Sequence, residues 1–241
     1  MVKLRLKIEF TCKNLTLPIA YQSAVQGMIY SIFDKEKYGK FLHDEGYHID
    51  NKIFKMFVFS NLFGKYTMDN KTIVYSNKTC LYIASQSEEF IQIVYKFFVQ
   101  NEFAVLNHQR IYVENIDFVD TPYFRGSQDI EIKTISPVVA YQTKDKYVTY
   151  FKPSDDEFEQ LCLNNLLEKN NALENPIKDL DFSIKEIKNE KRRFLKYKNT
   201  FYIGYNAKMV VHTNYETLNL IYNSGLSAKG SAGFGMIEAI V

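Results

Sequence analysis

The chain has 241 residues, 46% of them hydrophobic and 24% charged, which suits one large globular domain or two of about 100–120 residues. A net charge of +2 does not mark a uniformly basic nucleic-acid binder, and no apolar run approaches the ~20 residues of a membrane-spanning helix. Residues Met1 to Ile8 alternate charged with apolar side chains, unlike a signal peptide, and Cys12, Cys80 and Cys162 are isolated, without metal spacing. Together these features point to a reducing cytoplasm and no membrane partner.

Residues 2–11 read as a strand, with Val2, Leu4, Leu6, Ile8 and Phe10 on one face and Lys3, Arg5, Lys7 and Glu9 on the other. Thr16-Leu17-Pro18 reads as a helix start, Thr16 capping and Pro18 in the first turn. The helix is expected to reach Phe33, burying Val25, Met28, Ile29, Ile32 and Phe33, while Gln22, Gln26 and Tyr30 form a separate polar line at i, i+4 and i+8. A second short helix is expected over 35–42. Strands are expected over 53–60, within 71–85 and over 109–119, with a helix from Ser87 to about Gln100. This order is βαββαβ.

The pattern breaks around Thr121 to Ser127, which gives expected domains of 1–124 and 125–241. It then restarts. Ile130 to Tyr141 and Lys146 to Phe151 read as a hairpin, and Ser154-Asp155-Asp156-Glu157 opens a helix to about Lys169, acids at its positive end. Strand-rich segments follow over 182–188 and 197–213, then a helix over 215–223 and a last strand over 236–241. The fold class expected is therefore α+β, two tandem ferredoxin-like (RRM-like) domains.

Between that last helix and strand, residues 225–236 hold four of the chain's ten glycines and one lysine, Lys229. Glycine-rich backbone permits positive φ and close approach, so the stretch reads either as a long turn or as a cradle for phosphates. Lys188, Lys191, Arg192, Arg193, Lys196 and Lys198 form a basic run broken by Glu190. Such a run is ordinarily a solvated hairpin.

The block Gly225-Leu226-Ser227, five residues, Gly233-Phe234-Gly235 resembles the C-terminal motif of the RAMP superfamily, with Ser227 where that motif has a second glycine. Further blocks resemble the CRISPR repeat-processing endoribonucleases within it: Leu15 to Pro18, Gln26 to Tyr30, Phe41 to Asp44, Phe54 to Ser60, Ile135 to Val138, Asn165 to Lys169 and Lys191 to Phe194. They occur in the family's order along nearly the whole chain. The resemblance implies cleavage of CRISPR repeat RNA in precursor transcripts, without metal or other cofactor. The ribose 2′-OH would be the nucleophile, leaving a 2′,3′-cyclic phosphate (or 3′-phosphate) and a 5′-OH. It implies catalytic roles for Tyr30, His43 and Lys55, and RNA contact by Gly225, Lys229, Gly233, Gly235, Lys191, Arg192 and Arg193. Implied partners are precursor and mature guide RNA and a CRISPR effector complex; monomer and homodimer both remain open. The alternative from another class is a non-catalytic RNA-binding RAMP subunit of a surveillance complex.

The chemistry suits these residue types. An imidazole titrates near neutrality and can move the protons of a transesterification. An ammonium stabilises the charge gathered on the non-bridging oxygens. Tyr30 would orient the nucleophile or act as base, and the choice between Tyr30 and His43 as base stays open. His48 and Lys52 are the alternatives to His43 and Lys55, whereas His108 and His212 read as structural.

Overall fold

The computed structural model describes residues 3–33, 47–49 and 52–240, so the expected helix over 35–42 and His43 lie outside the described residues. Chain order is β1 (Arg5–Thr11), β2 (Leu15–Pro18), α1 (Gln22–Ile32), β3 (Tyr47–Ile49), β4 (Lys52–Phe54), β5 (Phe57–Phe59), β6 (Tyr66–Met68), β7 (Thr72–Tyr75), β8 (Lys78–Ser85), α2 (Glu88–Gln100), β9 (Phe103–Leu106) and β10 (Gln109–Phe118). There follow β11 (Ser127–Thr134), β12 (Ala140–Lys144), β13 (Tyr147–Phe151), α3 (Asp156–Asn171), β14 (Phe182–Tyr197), β15 (Thr200–Asn214), α4 (Tyr215–Ser224), a 3₁₀ turn (Gly230–Ala232) and β16 (Ile237–Ile240).

The two large sheets are ordered β5-β8-β1-β10-β9 and β14-β15-β11-β16, and each is antiparallel throughout. With β9 set aside, both place the first strand of a βαββαβ unit between the third and fourth, and the second beyond the third. That is the ferredoxin-like arrangement, used twice. Each sheet has its own apolar core. Leu6, Ile8 and Phe10 pack with Val25, Ile29, Phe90 and Val94 in one, and Ile132, Met209 and Val211 with Phe158, Leu166 and Leu218 in the other.

Several expected boundaries shift. Leu15 to Pro18 is a strand, not a helix start: Leu15 and Leu17 are buried on one face and pair with Tyr75 and Ile73. The helix begins at Gln22 with no side-chain cap. Ser87 does cap α2, its side chain accepting from the Phe90 N–H. The hairpin expected from Ile130 is divided at Ser136-Pro137, and only β12 and β13 pair, around Asp145 and Lys146 at φ of 49° and 69°. The strand-rich segments after α3 are one long hairpin whose β14 runs through the basic stretch to Tyr197.

The charged face expected for β1 is not all solvent-facing. Arg5 is buried, donating from Nη1 to Ile237 O (2.9 Å) and from Nη2 to Tyr222 O, with its guanidinium 3.6 Å above the Tyr222 ring. Burial pulls its pKa down to about 10. It crosses from the first sheet into the second, beside a shared apolar patch of Val58, Ala84, Ile135 and Met236. The backbone adds a tie between the halves, Asn61 N–H donating to Ile135 O at 3.1 Å.

Candidate nucleic-acid interface

The glycine-rich loop closes on itself and on β5. Gly225, Gly233 and Gly235 have φ of 79°, 87° and 82°, a region that side chains rarely adopt. A Cβ at Gly233 would lie 2.4 Å from the Phe59 ring, and one at Gly235 would lie 2.3 Å from Ser227 Cβ. The Gly225 N–H donates to Ile221 O, Gly233 to Gly230 O and Gly235 to Pro137 O, each at 2.8 Å. These glycines are buried and their donors are committed to the fold. They act by permitting close approach, and a cradle made of their N–H groups is not what the loop presents. The crest of the loop is Ala228, exposed, with Lys229 half-buried and its Nζ 5.6 Å from the Tyr141 ring centre.

Ser227, the departure from the glycine motif, has a role of its own. It is buried, its hydroxyl donates to Val139 O (3.1 Å) and accepts from the Val139 and Lys229 N–H groups (3.2 and 3.3 Å). A hydroxyl thus ties the loop to the start of β12.

Sequence reading missed the residue beneath the loop, Lys169. Its Nζ donates to Ser224 O (3.0 Å), Gly225 O (2.6 Å) and Ser227 O (3.0 Å), and the side chain is buried. Burial lowers its pKa to about 7, opposed by the neighbouring Cys162. The signal was present: Phe158, Cys162 and Leu166 stand at i, i+4 and i+8 on α3, and Lys169 continues that buried stripe at i+11.

The polar line on α1 is an interface. Gln22 and Gln26 are buried; Gln26 Nε2 donates to Ser231 O (2.6 Å) in the loop, and Tyr197 OH donates to Gln26 Oε1. Tyr30, one turn on, sets its ring edge-on to Phe57 at 5.9 Å. Burial, with a smaller contribution from Tyr197, raises its phenol to about 12, so it is protonated at neutral pH. Lys55 follows β4 and is half-buried. The stretch from Phe54 to Phe59 carries Lys55, receives Tyr30 on Phe57 and receives the loop on Val58 and Phe59. It joins the two halves of the candidate site.

A cleft of about 640 Å³ opens beside this stretch, lined by Phe54, Tyr141, Gln142, Asn165, Glu168 and Lys229, among others. Lys191, Arg192 and Arg193 are exposed on β14 at a distance in sequence from it, and they do not share one face. Alternation puts Arg192 beside Phe194, its guanidinium 4.6 Å from that ring, and turns Lys191 and Arg193 the other way. His212, read from sequence as structural, has carboxylate neighbours in Asp129 (2.6 Å) and Asp181 (3.8 Å).

Comparison with known proteins adds a family match. The family described as CRISPR associated protein Cas6, C-terminal, matches residues 119–239, half of the chain. The chain is 28% identical to the CRISPR-associated endoribonuclease Cas6 1 of Methanocaldococcus jannaschii, over 97% of this chain and 92% of that protein. Among solved structures, one described as CRISPR associated protein Cas6 superposes with a TM-score of 0.80 at 23% identity, covering 99% of this chain and all of the other. Another, described as a RAMP protein binding different RNA substrates, gives 0.80 at 21% identity, with 99% and 100% coverage.

Proposed function

The chain belongs to the CRISPR-associated Cas6 family, and from that premise we propose that it is an endoribonuclease that binds and cuts CRISPR repeat RNA in precursor transcripts. The observation that carries the reading is the Phe54–Phe59 stretch, where Lys55 stands on the segment against which both Tyr30 and the glycine-rich loop pack. RNA held by the loop crest and Lys229 would lie beside the stretch that carries Lys55 and packs on Tyr30.

In this reading the reaction is a transesterification. His43 exchanges protons with the attacking 2′-OH and the departing 5′-oxygen, so one imidazole can serve as base, then acid. The 2′-oxygen bonds to phosphorus, the P–O5′ bond breaks, and the products are a 2′,3′-cyclic phosphate and a 5′-OH. Lys55 stabilises the charge on the non-bridging oxygens. Tyr30, held neutral by its raised pKa, fits hydrogen bonding to the nucleophile better than proton abstraction, which leaves the first proton to His43. No metal is required by these steps. The exposed Lys191, Arg192 and Arg193 supply backbone contacts to phosphate.

The test incubates purified protein with end-labelled repeat RNA in EDTA and maps the product ends. One cut leaving a cyclic phosphate is expected, abolished by a 2′-deoxy nucleotide at the scissile position, with binding kept. Cleavage of the 2′-deoxy substrate refutes the mechanism. Binding with no cut by the wild-type protein refutes the enzyme and leaves the non-catalytic RNA-binding subunit.

A further inference from the structure

We propose that Lys169 is a positioning residue for RNA binding, acting through the backbone of the glycine-rich loop. The proposal rests on the reading of that loop as an RNA contact. Three carbonyls, those of Ser224, Gly225 and Ser227, converge on one buried Nζ at 2.6 to 3.0 Å. They belong to the end of α4 and the first residues of the loop, where the last turn of a helix leaves carbonyls without intrahelical partners. A lysine ammonium has three donors, matched here by three acceptors.

The consequence lies one residue further on. Ser227 is fixed from both sides, its carbonyl by Lys169 and its hydroxyl by Val139. Ala228 and Lys229, which follow directly, line the cleft together with Leu226 and Asn165. The lysine therefore sets where the crest stands without touching anything bound there. Placing an amino group among apolar neighbours, with Cys162 and Leu166 on the same helical stripe, costs stability. A methionine would fill similar volume without that cost, so a role in packing alone does not call for lysine.

The experiment compares wild type, Lys169→Met and Lys169→Gln. Backbone amide hydrogen exchange is read over 225–235 without RNA. Repeat-RNA affinity and the single-turnover cleavage rate at saturating RNA are read separately. Lys169→Met is expected to speed exchange in the loop selectively, to weaken RNA affinity by about 10-fold, and to leave the saturated rate within about threefold, since preorganisation is lost from the binding surface. Lys169→Gln, which keeps two donors, is expected to fall between and guards against a methionine variant that fails to fold. Unchanged exchange in the loop of both variants overturns the clamp. Faster exchange with unchanged affinity overturns the loop as an RNA contact, and with it the positioning role. If wild type itself does not bind repeat RNA, the functional reading fails while exchange still reports on the clamp.

Discussion

Replacing Gly235 with alanine tests the steric account of the loop directly. At φ of 82° an L-residue carries a backbone cost of about 1–2 kcal/mol. The new Cβ would also lie 2.3 Å from Ser227 Cβ and 2.6 Å from its backbone nitrogen, so the main chain must shift. Overpacking of this kind costs about 1–3 kcal/mol, and the sum is about 3 kcal/mol. The matched control is Gly27→Ala, inside α1, where an added Cβ meets nothing within 4 Å. Helix propensity there favours alanine by about 1 kcal/mol. Urea unfolding of both variants should therefore move the midpoint in opposite directions. A Gly235→Ala midpoint within about 0.5 kcal/mol of wild type would refute the reasoning.

Three further outcomes follow from other contacts. Tyr30→Phe should lower single-turnover cleavage by about 10-fold and leave the shape of the pH profile between pH 6 and 9 unchanged; a loss as complete as that of a His43→Ala variant would make Tyr30 the base. Ser227→Gly restores the family's glycine but removes the hydroxyl bonded to Val139, and should cost about 1–2 kcal/mol in urea unfolding; a stability gain would contradict the assigned role. The folded pKa of Lys169 near 7 lies below the ordinary 10.5, so the unfolded chain binds more protons between these values and folding is favoured as pH rises. The stability of wild type relative to Lys169→Met should thus climb by about 1.4 kcal/mol per pH unit from pH 7 towards 10.5 and flatten below 7. Cys162, the titratable neighbour on the same helix, is common to both proteins. A flat difference across that range would show that burial does not depress the amine.

What the sequence disclosed depended on how local each signal was. The alternation in β1 and the buried stripes of α1 and α2 repeat within a few residues, and the second half restates the order, so the two ferredoxin-like units were legible. Leu15 to Pro18 misled because threonine and proline carry helix-start chemistry, whereas the strand is decided by pairing with β7, some sixty residues away. Arg5 looked solvated because its acceptors are Tyr222 and Ile237, brought to it only by the second domain. The glycine motif was visible as a pattern, but which of its donors the fold consumes depends on Pro137 and Ile221. Lys169 sat in plain view on a periodic stripe, passed over because lysine is ordinarily a surface residue.

Arg5 also couples the folding of the two halves. Arg5 belongs to β1, but the carbonyls that receive its guanidinium are on Tyr222 and Ile237, 217 and 232 residues further along. Without the second half, the outer face of the first sheet would keep a hydrated arginine and an uncovered Val58–Ala84 patch. The first sheet therefore reaches its native burial only once the second half has folded against it, and a lesion at this contact in either half is felt in the other.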